Sequence, residues 1–309
     1  MLFMFPGQGS QKIGMGKDLY DAFQFARDVF HEINDALSFN LSNLIFLGSD
    51  EDLKLTENAQ PALMAVSMAF VNVMKKDFSV NILDKARFLA GHSLGEYIAL
   101  CAAGVISLSD TAKLLRVRGL AMAAACKNDG AMAAILGLDI DAVEKIFDTI
   151  REENFVLQIA NDNSNGQVVI SGHKTAVEKA IQKTIDAGAK KAVLLEVSGP
   201  FHCALMKPAV ESLEAAMDSV TFNAPIKPII SNITAKAETD NFKKLLLQNL
   251  VSGVRWRESI LFAAENSVSK AVEIGSGKVL TGLVKRVSST IECHSINSLE
   301  SMGEFCRKI

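Results

Sequence analysis

The sequence predicts an α/β fold: a mostly parallel sheet covered by helices, with a smaller α/β unit inserted into it. Three observations carry this. Short apolar runs that read as buried strands, such as "MLFMF", "ARFLA" and "KAVEI", alternate with segments whose apolar residues recur at spacings of three and four. That alternation calls for a parallel sheet with both faces covered. From about Gly130 the texture changes to strand, helix, strand, strand, helix, strand, the split-βαβ or ferredoxin-like order of a compact domain. Finally, 309 residues lie near the length at which one core stops growing and a second unit splits off. The expected division is a core of residues 1–127 and 198–309, with a ferredoxin-like insertion at 128–197.

Element by element, "MLFMFPGQGSQ" reads as a short buried strand that ends at Pro6-Gly7 and runs into a loop of glycines and glutamines. Helical spacing then dominates to about Val80, including "DLYDAFQFARDVFHEIN" and a helix after Pro61. "ARFLA" is a strand ending at Gly91, and "SLGEYIALCAAGVIS" is a helix with Leu94, Ile98, Cys101 and Ala102 on one face. In the insertion, "GAMAAILGL", "FVLQIAND", "GQVVISG" and "AKKAVLLEV" are the strands, and "DAVEKIFDTI" and "KTAVEKAIQKTIDAG" the helices. "IKPIISNIT" and "KAVEIGSG" return the chain to the main sheet.

Composition removes several function classes. Apolar residues at 49% and charged residues at 22% are globular values, which argues against disorder or a fibrous repeat. A net charge of −3 gives no electrostatic case for nucleic acid. The longest apolar stretch, Ala62 to Met74, is too short to span a membrane, and "MLFMF" is too short for a signal-peptide core. Cys101, Cys126, Cys203, Cys293 and Cys306 are odd in number and contain no C-x-x-C pair. Reduced thiols in a cytoplasmic protein are therefore expected, with neither a disulfide framework nor a zinc site.

Gly91-His92-Ser93-Leu94-Gly95 is a G-x-S-x-G pattern. In an α/β-hydrolase-like core this motif forms a sharp strand-to-helix turn that lifts the serine hydroxyl out of the sheet. A serine needs a positioned base. Among the five histidines, His31 lies on a charged helix, His173 follows a glycine in a turn and His294 sits in a late strand. His92 adjoins the serine, but its position points it away. His202, in "SGPFHCALMKPA", lies on a turn entering a helix, where a cleft at the strand ends would receive it, although the spacing equally allows a core histidine. A hydrolase would need an acid between Ser93 and His202; Asp162 in "ANDNSNG" is the one loop candidate, and it reads as a turn residue.

"FPGQGSQ", "GHSLGEY", "VRG" at Arg118, "NDNSNGQVVISG", "PFHCALMKPA" and "EIGSGKVLTGL" occur in this order across nearly the whole chain. Together they resemble the malonyl-CoA:acyl carrier protein transacylases of bacterial fatty-acid synthesis. The resemblance implies that Ser93 is acylated by malonyl-CoA with His202 as base, and that the malonyl group then passes to acyl carrier protein. It implies oxyanion donors at the backbone N–H groups of Gln8 and Leu94, and a malonyl-carboxylate contact at Arg118; on a helical segment Arg116, two residues away, faces elsewhere. It also implies an α-carbon restriction by Phe201, because relatives accepting methylmalonyl often carry a small residue there. Where relatives have a glutamine whose main-chain carbonyl orients the histidine, this chain has Asn249, preceded by Gln248. No cofactor is expected beyond the CoA thioester used as substrate, and a monomer is expected. Lys190, Lys191, Lys285 and Arg286 are candidates for docking the acidic carrier by charge alone. A serine thioesterase and an inert carrier-binding module remain the alternatives.

Overall fold

A computed structural model describes residues 1–126, 129–150 and 155–309. Among these, two sheets form. The strands in chain order are β1 (Leu2–Phe5), β2 (Phe88–Gly91), β3 (Gly130–Leu136), β4 (Leu157–Ser164), β5 (Gln167–His173), β6 (Lys191–Leu194), β7 (Ile229–Ile230), β8 (Ala237–Glu238), β9 (Lys270–Ile274) and β10 (Glu292–Ile296). The larger sheet has the order β10-β9-β1-β2-β7-β8, parallel throughout except for the last pair. β1 lies at its centre and explains why "LFMF" carries no polar residue. Phe3 and Phe5 enter the core on one face, while Leu2 and Met4 join Phe88, Ala90 and Trp256 on the other.

The smaller sheet has the order β4-β5-β3-β6 and is antiparallel throughout, the ferredoxin-like arrangement. Its helices, Ile140–Asp148 and Lys174–Asp186, bury Val143, Phe147, Ala176 and Val177 against Ile135, Val168 and Ile170. The expected domain boundary at 127/128 lies outside the described residues. The smaller sheet is tied to the larger body through β4: Asp162 N–H donates to the Val254 carbonyl and Val254 N–H to the Ala160 carbonyl, each at 2.9 Å.

Two elements differ from expectation. The helix expected after Pro61 begins at Thr56 and contains the proline. Pro61 has no N–H for the Glu57 carbonyl one turn back, and Arg116 supplies the missing donor at 2.9 Å. "IKPIISNIT" contributes only the two-residue β7, because the chain leaves the sheet at Ser231 and Asn232 to pair with the turn at Ser93 instead. No helix among the described residues is long and apolar enough to cross a membrane, and all five cysteines are unpaired.

Candidate active site

β2 ends at Gly91 and the Gly95–Ala102 helix begins four residues later, so the chain turns at Ser93 with φ 54°. Both flanking glycines are required by close approach. A Cβ on Gly91 would come 1.9 Å from the Gly95 carbonyl carbon, and one on Gly95 would come 2.2 Å from the Phe5 oxygen. His202 is also left-handed, at φ 59°. Two non-glycine residues in this region cost about 1–3 kcal/mol each, so neighbouring contacts must hold them. Behind His202, Ala204 N–H donates to Gln158 Oε1 on β4 at 2.6 Å, which fastens the histidine turn to the smaller sheet.

These two turns bring Ser93 Oγ within 2.8 Å of His202 Nε2. His202 Nδ1 lies 2.7 Å from the Asn249 main-chain oxygen. A carbonyl only accepts, so Nδ1 carries the hydrogen and Nε2 presents its lone pair to the serine hydroxyl. Burial first, and the nearby Arg118 charge second, push the His202 pKa down to about 3. The imidazole is therefore neutral at physiological pH and presents an unprotonated Nε2 to the serine hydroxyl.

Arg118, on the Leu108–Ala125 helix, is only 1% exposed. Its guanidinium donates to Ser93 Oγ at 3.1 Å and to Gln60 Oε1 at 2.7 Å, and lies 5.5 Å from the Tyr97 ring centroid. Gln60 Nε2 donates onward to Thr56 Oγ1 at 2.8 Å, and Thr56 Oγ1 to Gln8 Oε1 at 2.9 Å. This polar chain joins the buried cation to the "PGQGS" loop. The backbone N–H groups of Gln8 and Leu94 have no hydrogen-bond partner among the described residues. Ser93, Leu94, Arg118, Phe201 and His202 line one cavity of about 330 Å³, with Gln8 on its wall.

The remaining sequence candidates fall as follows. Arg116 turns away from the cavity, with its guanidinium on Glu57 and Asn58 and over the Phe39 ring. His92 lies on the cavity wall, but its ring is tied to Asn163 at 2.8 Å and packs on Trp256. His31 is exposed and bonded to Tyr20, and His294 pairs with Glu292. His173 closes β5 rather than forming a turn, and its Nδ1 accepts from Val156 N–H. Asp162 is likewise a strand residue and not a turn residue. It is buried in β4 and gripped by Arg257 at 2.8 Å, because continuing β4 into the main body places it under the Trp256–Glu265 helix. The histidine partner is thus a main-chain carbonyl, from Asn249, while the Gln248 side chain is exposed. Lys190, Lys191, Lys285 and Arg286 are exposed and none lines the cavity; Arg286 bonds Gln167 on β5. The lysine on the cavity wall is Lys54, which the sequence reading passed over.

The fold and this site define a class: α/β enzymes with a serine on a strand-to-helix turn beside a neutral histidine. Comparison with known proteins narrows it. The acyl transferase domain model matches residues 2–307, and the chain belongs to that family. It is 44% identical over 303 residues to the malonyl CoA-acyl carrier protein transacylase of Bacillus subtilis, covering 97% of this chain and 94% of that one. The Escherichia coli K12 protein of the same name is 41% identical over 304 residues, covering 97% of each. Among solved structures, an acyl-carrier-protein S-malonyltransferase from Bartonella henselae superposes with TM-score 0.96 at 51% identity, covering 99% of this chain and 98% of that one. A malonyl-transacylase solved in complex with its type II PKS acyl-carrier protein gives TM-score 0.94 at 38% identity, covering 100% and 99%.

Proposed function

We propose that this acyltransferase moves the malonyl group of malonyl-CoA to the phosphopantetheine thiol of acyl carrier protein through an ester on Ser93. The observation that carries the reading is the convergence of His202 Nε2 at 2.8 Å and the buried Arg118 guanidinium at 3.1 Å on a single oxygen, Ser93 Oγ. The names of the relatives at 41–44% identity supply the donor and acceptor.

Ser93 Oγ attacks the thioester carbonyl carbon while its proton passes to His202 Nε2. The carbonyl oxygen becomes an oxyanion, held by the N–H groups of Leu94 and Gln8, the former at the start of a helix whose dipole adds to the stabilisation. The C–S bond breaks, the proton on His202 goes to the departing CoA sulfur, and malonyl-Ser93 remains. The carrier thiol then gives its proton to His202, attacks the ester carbonyl, and Ser93 leaves with that proton.

Arg118 holds the malonyl carboxylate as a planar fork in charge-assisted bonds. Phe201 closes the space at the α-carbon, and the Asn249 carbonyl keeps His202 in the reactive tautomer. Asn249 does this through its backbone, so the change from the family's glutamine leaves the contact in place. The test is the initial-velocity pattern with malonyl-CoA and carrier varied together. Parallel double-reciprocal lines, and CoA release without carrier, are expected for an acyl-enzyme; intersecting lines with no CoA release in the absence of carrier would overturn the reading.

A further inference from the structure

The proposed mechanism uses Ser93, His202 and Arg118, but leaves two buried polar residues beside them without a task. Asn232 is 1% exposed and Glu96 is 1% exposed. β2 pairs with β7 at Leu89–Ile229 and Ala90–Ile230, and then bends away at Gly91. The bend strands the Gly91 carbonyl and the Ser93 N–H where the next ladder bonds would have formed. Asn232, two residues past the end of β7, fills both positions with its carboxamide. Its Nδ2 donates to the Gly91 carbonyl at 2.7 Å, and its Oδ1 accepts from Ser93 N–H at 2.7 Å.

The backbone of Asn232 is fixed as well. Its N–H donates to Glu96 Oε2 at 3.0 Å, and its carbonyl accepts from Arg255 N–H at 3.0 Å. Glu96 in turn donates its own N–H to the Ser93 carbonyl at 3.1 Å. A closed circuit results, from Ser93 to the Asn232 side chain, through the Asn232 backbone to Glu96, and back to Ser93. The circuit encloses the one residue whose left-handed backbone aims Oγ at His202. It also occupies the Ser93 N–H, which leaves the Leu94 N–H as the donor of this turn that can face an oxyanion.

We infer that Asn232 and Glu96 are positioning residues that clamp the nucleophile turn, setting the direction of both Ser93 Oγ and the Leu94 N–H. The inference rests on the reading of Ser93 as the acyl-carrying nucleophile. A buried carboxamide with both ends and both main-chain groups engaged is rigid, so the clamp should act on the rate of acylation and not on donor affinity.

The experiment compares Asn232→Ala, Glu96→Ala and Glu96→Gln with wild type in single-turnover acylation by malonyl-CoA, in KM, in thermal melting, and in labelling of Ser93 by a small fluorophosphonate, which needs neither Arg118 nor CoA contacts. For folded Asn232→Ala, kcat should fall about 100-fold or more, as expected when reacting atoms are misplaced. KM should stay within about threefold, and fluorophosphonate labelling should slow in parallel. Glu96→Gln, whose amide oxygen still accepts from Asn232 N–H, should retain kcat within about fivefold, while Glu96→Ala should lose about tenfold or more. A folded Asn232→Ala protein that acylates at the wild-type rate would overturn the clamp. If Asn232→Ala does not fold, the Glu96 pair decides, and equal rates in Glu96→Ala and Glu96→Gln would overturn it. Wild-type protein that forms no malonyl-Ser93 would overturn the reading of the site, a result distinct from failure of the clamp.

Discussion

Replacing Arg118 by alanine separates recognition of the donor from chemistry at Ser93. The guanidinium is buried and already fixed by Gln60 at 2.7 Å, so under the proposed binding mode a malonyl carboxylate would meet an oriented fork and not a mobile side chain. Hydrogen bonds to charged groups contribute about 1.5–3 kcal/mol each, and two of them set the expected loss at about 3–6 kcal/mol. At 1.36 kcal/mol per factor of ten, kcat/KM for malonyl-CoA should fall roughly 10²–10⁴. Acetyl-CoA has no carboxylate to lose. The variant also removes the 3.1 Å contact to Ser93 Oγ and leaves Gln60 Oε1 without its donor, but both donors suffer those losses equally. The assay is therefore the ratio of kcat/KM for malonyl-CoA to that for acetyl-CoA, in Arg118→Ala and in Arg118→Lys. The ratio should collapse in the alanine variant and fall less in the lysine variant, which keeps the charge but not the fork. Equal losses for both donors would refute the argument and leave Arg118 as a packing residue.

Further outcomes follow from packing and titration. Gly91→Ala must push the helix off the strand, since its Cβ would sit 1.9 Å from the Gly95 carbonyl carbon; we expect destabilisation at or beyond the upper end of the usual 1–3 kcal/mol, about 3 kcal/mol or more, read from urea midpoints. Burial and the Arg118 charge hold the folded pKa of His202 at about 3, well below the ordinary histidine value of 6.5. Its unfolded form therefore takes up a proton first, and wild type should lose stability relative to His202→Gln as pH falls from 6.5 toward 3. Glu96 has the opposite sign. Burial raises its pKa to about 7 from 4.5, so its contribution is full below pH 4.5 and lost as pH rises through 7, and Glu96→Gln should gain on wild type over that interval.

Much of the main architecture was legible because it is written in local pattern. "LFMF" and "FLAG" are apolar throughout since both faces of a central parallel strand are buried, and the strand-helix order of the smaller sheet follows from amphipathic helices such as Lys174–Asp186. The turn at Ser93 was legible because sterics demand glycine at both flanks. What escaped depends on partners far apart in the chain. Asp162 reads as a turn residue until Arg257, 95 residues away, is placed beside it. The start of the Thr56–Lys76 helix was missed because a proline reads as a stop unless a donor such as Arg116 reaches the carbonyl it leaves open. Asn232 sits in "IISNIT", where a polar pair closing an apolar run was the only signal, and its role needed the β2–β7 register to become visible. Charge along the sequence does not say which side chains border a cavity: Lys190, Lys191, Lys285 and Arg286 lie off its wall, whereas Lys54 reaches it through the turn that leads into Leu55.

Intact-protein mass spectrometry tests the central claim most directly. The protein is exposed briefly to malonyl-CoA, then to pantetheinylated acyl carrier protein, with Ser93→Ala as the control. The account predicts a malonyl adduct on Ser93 that is absent from the control and moves quantitatively to the carrier. An adduct that decays to free malonate in the presence of carrier would make the protein a hydrolase, and no adduct at all would contradict the nucleophilic role assigned to Ser93.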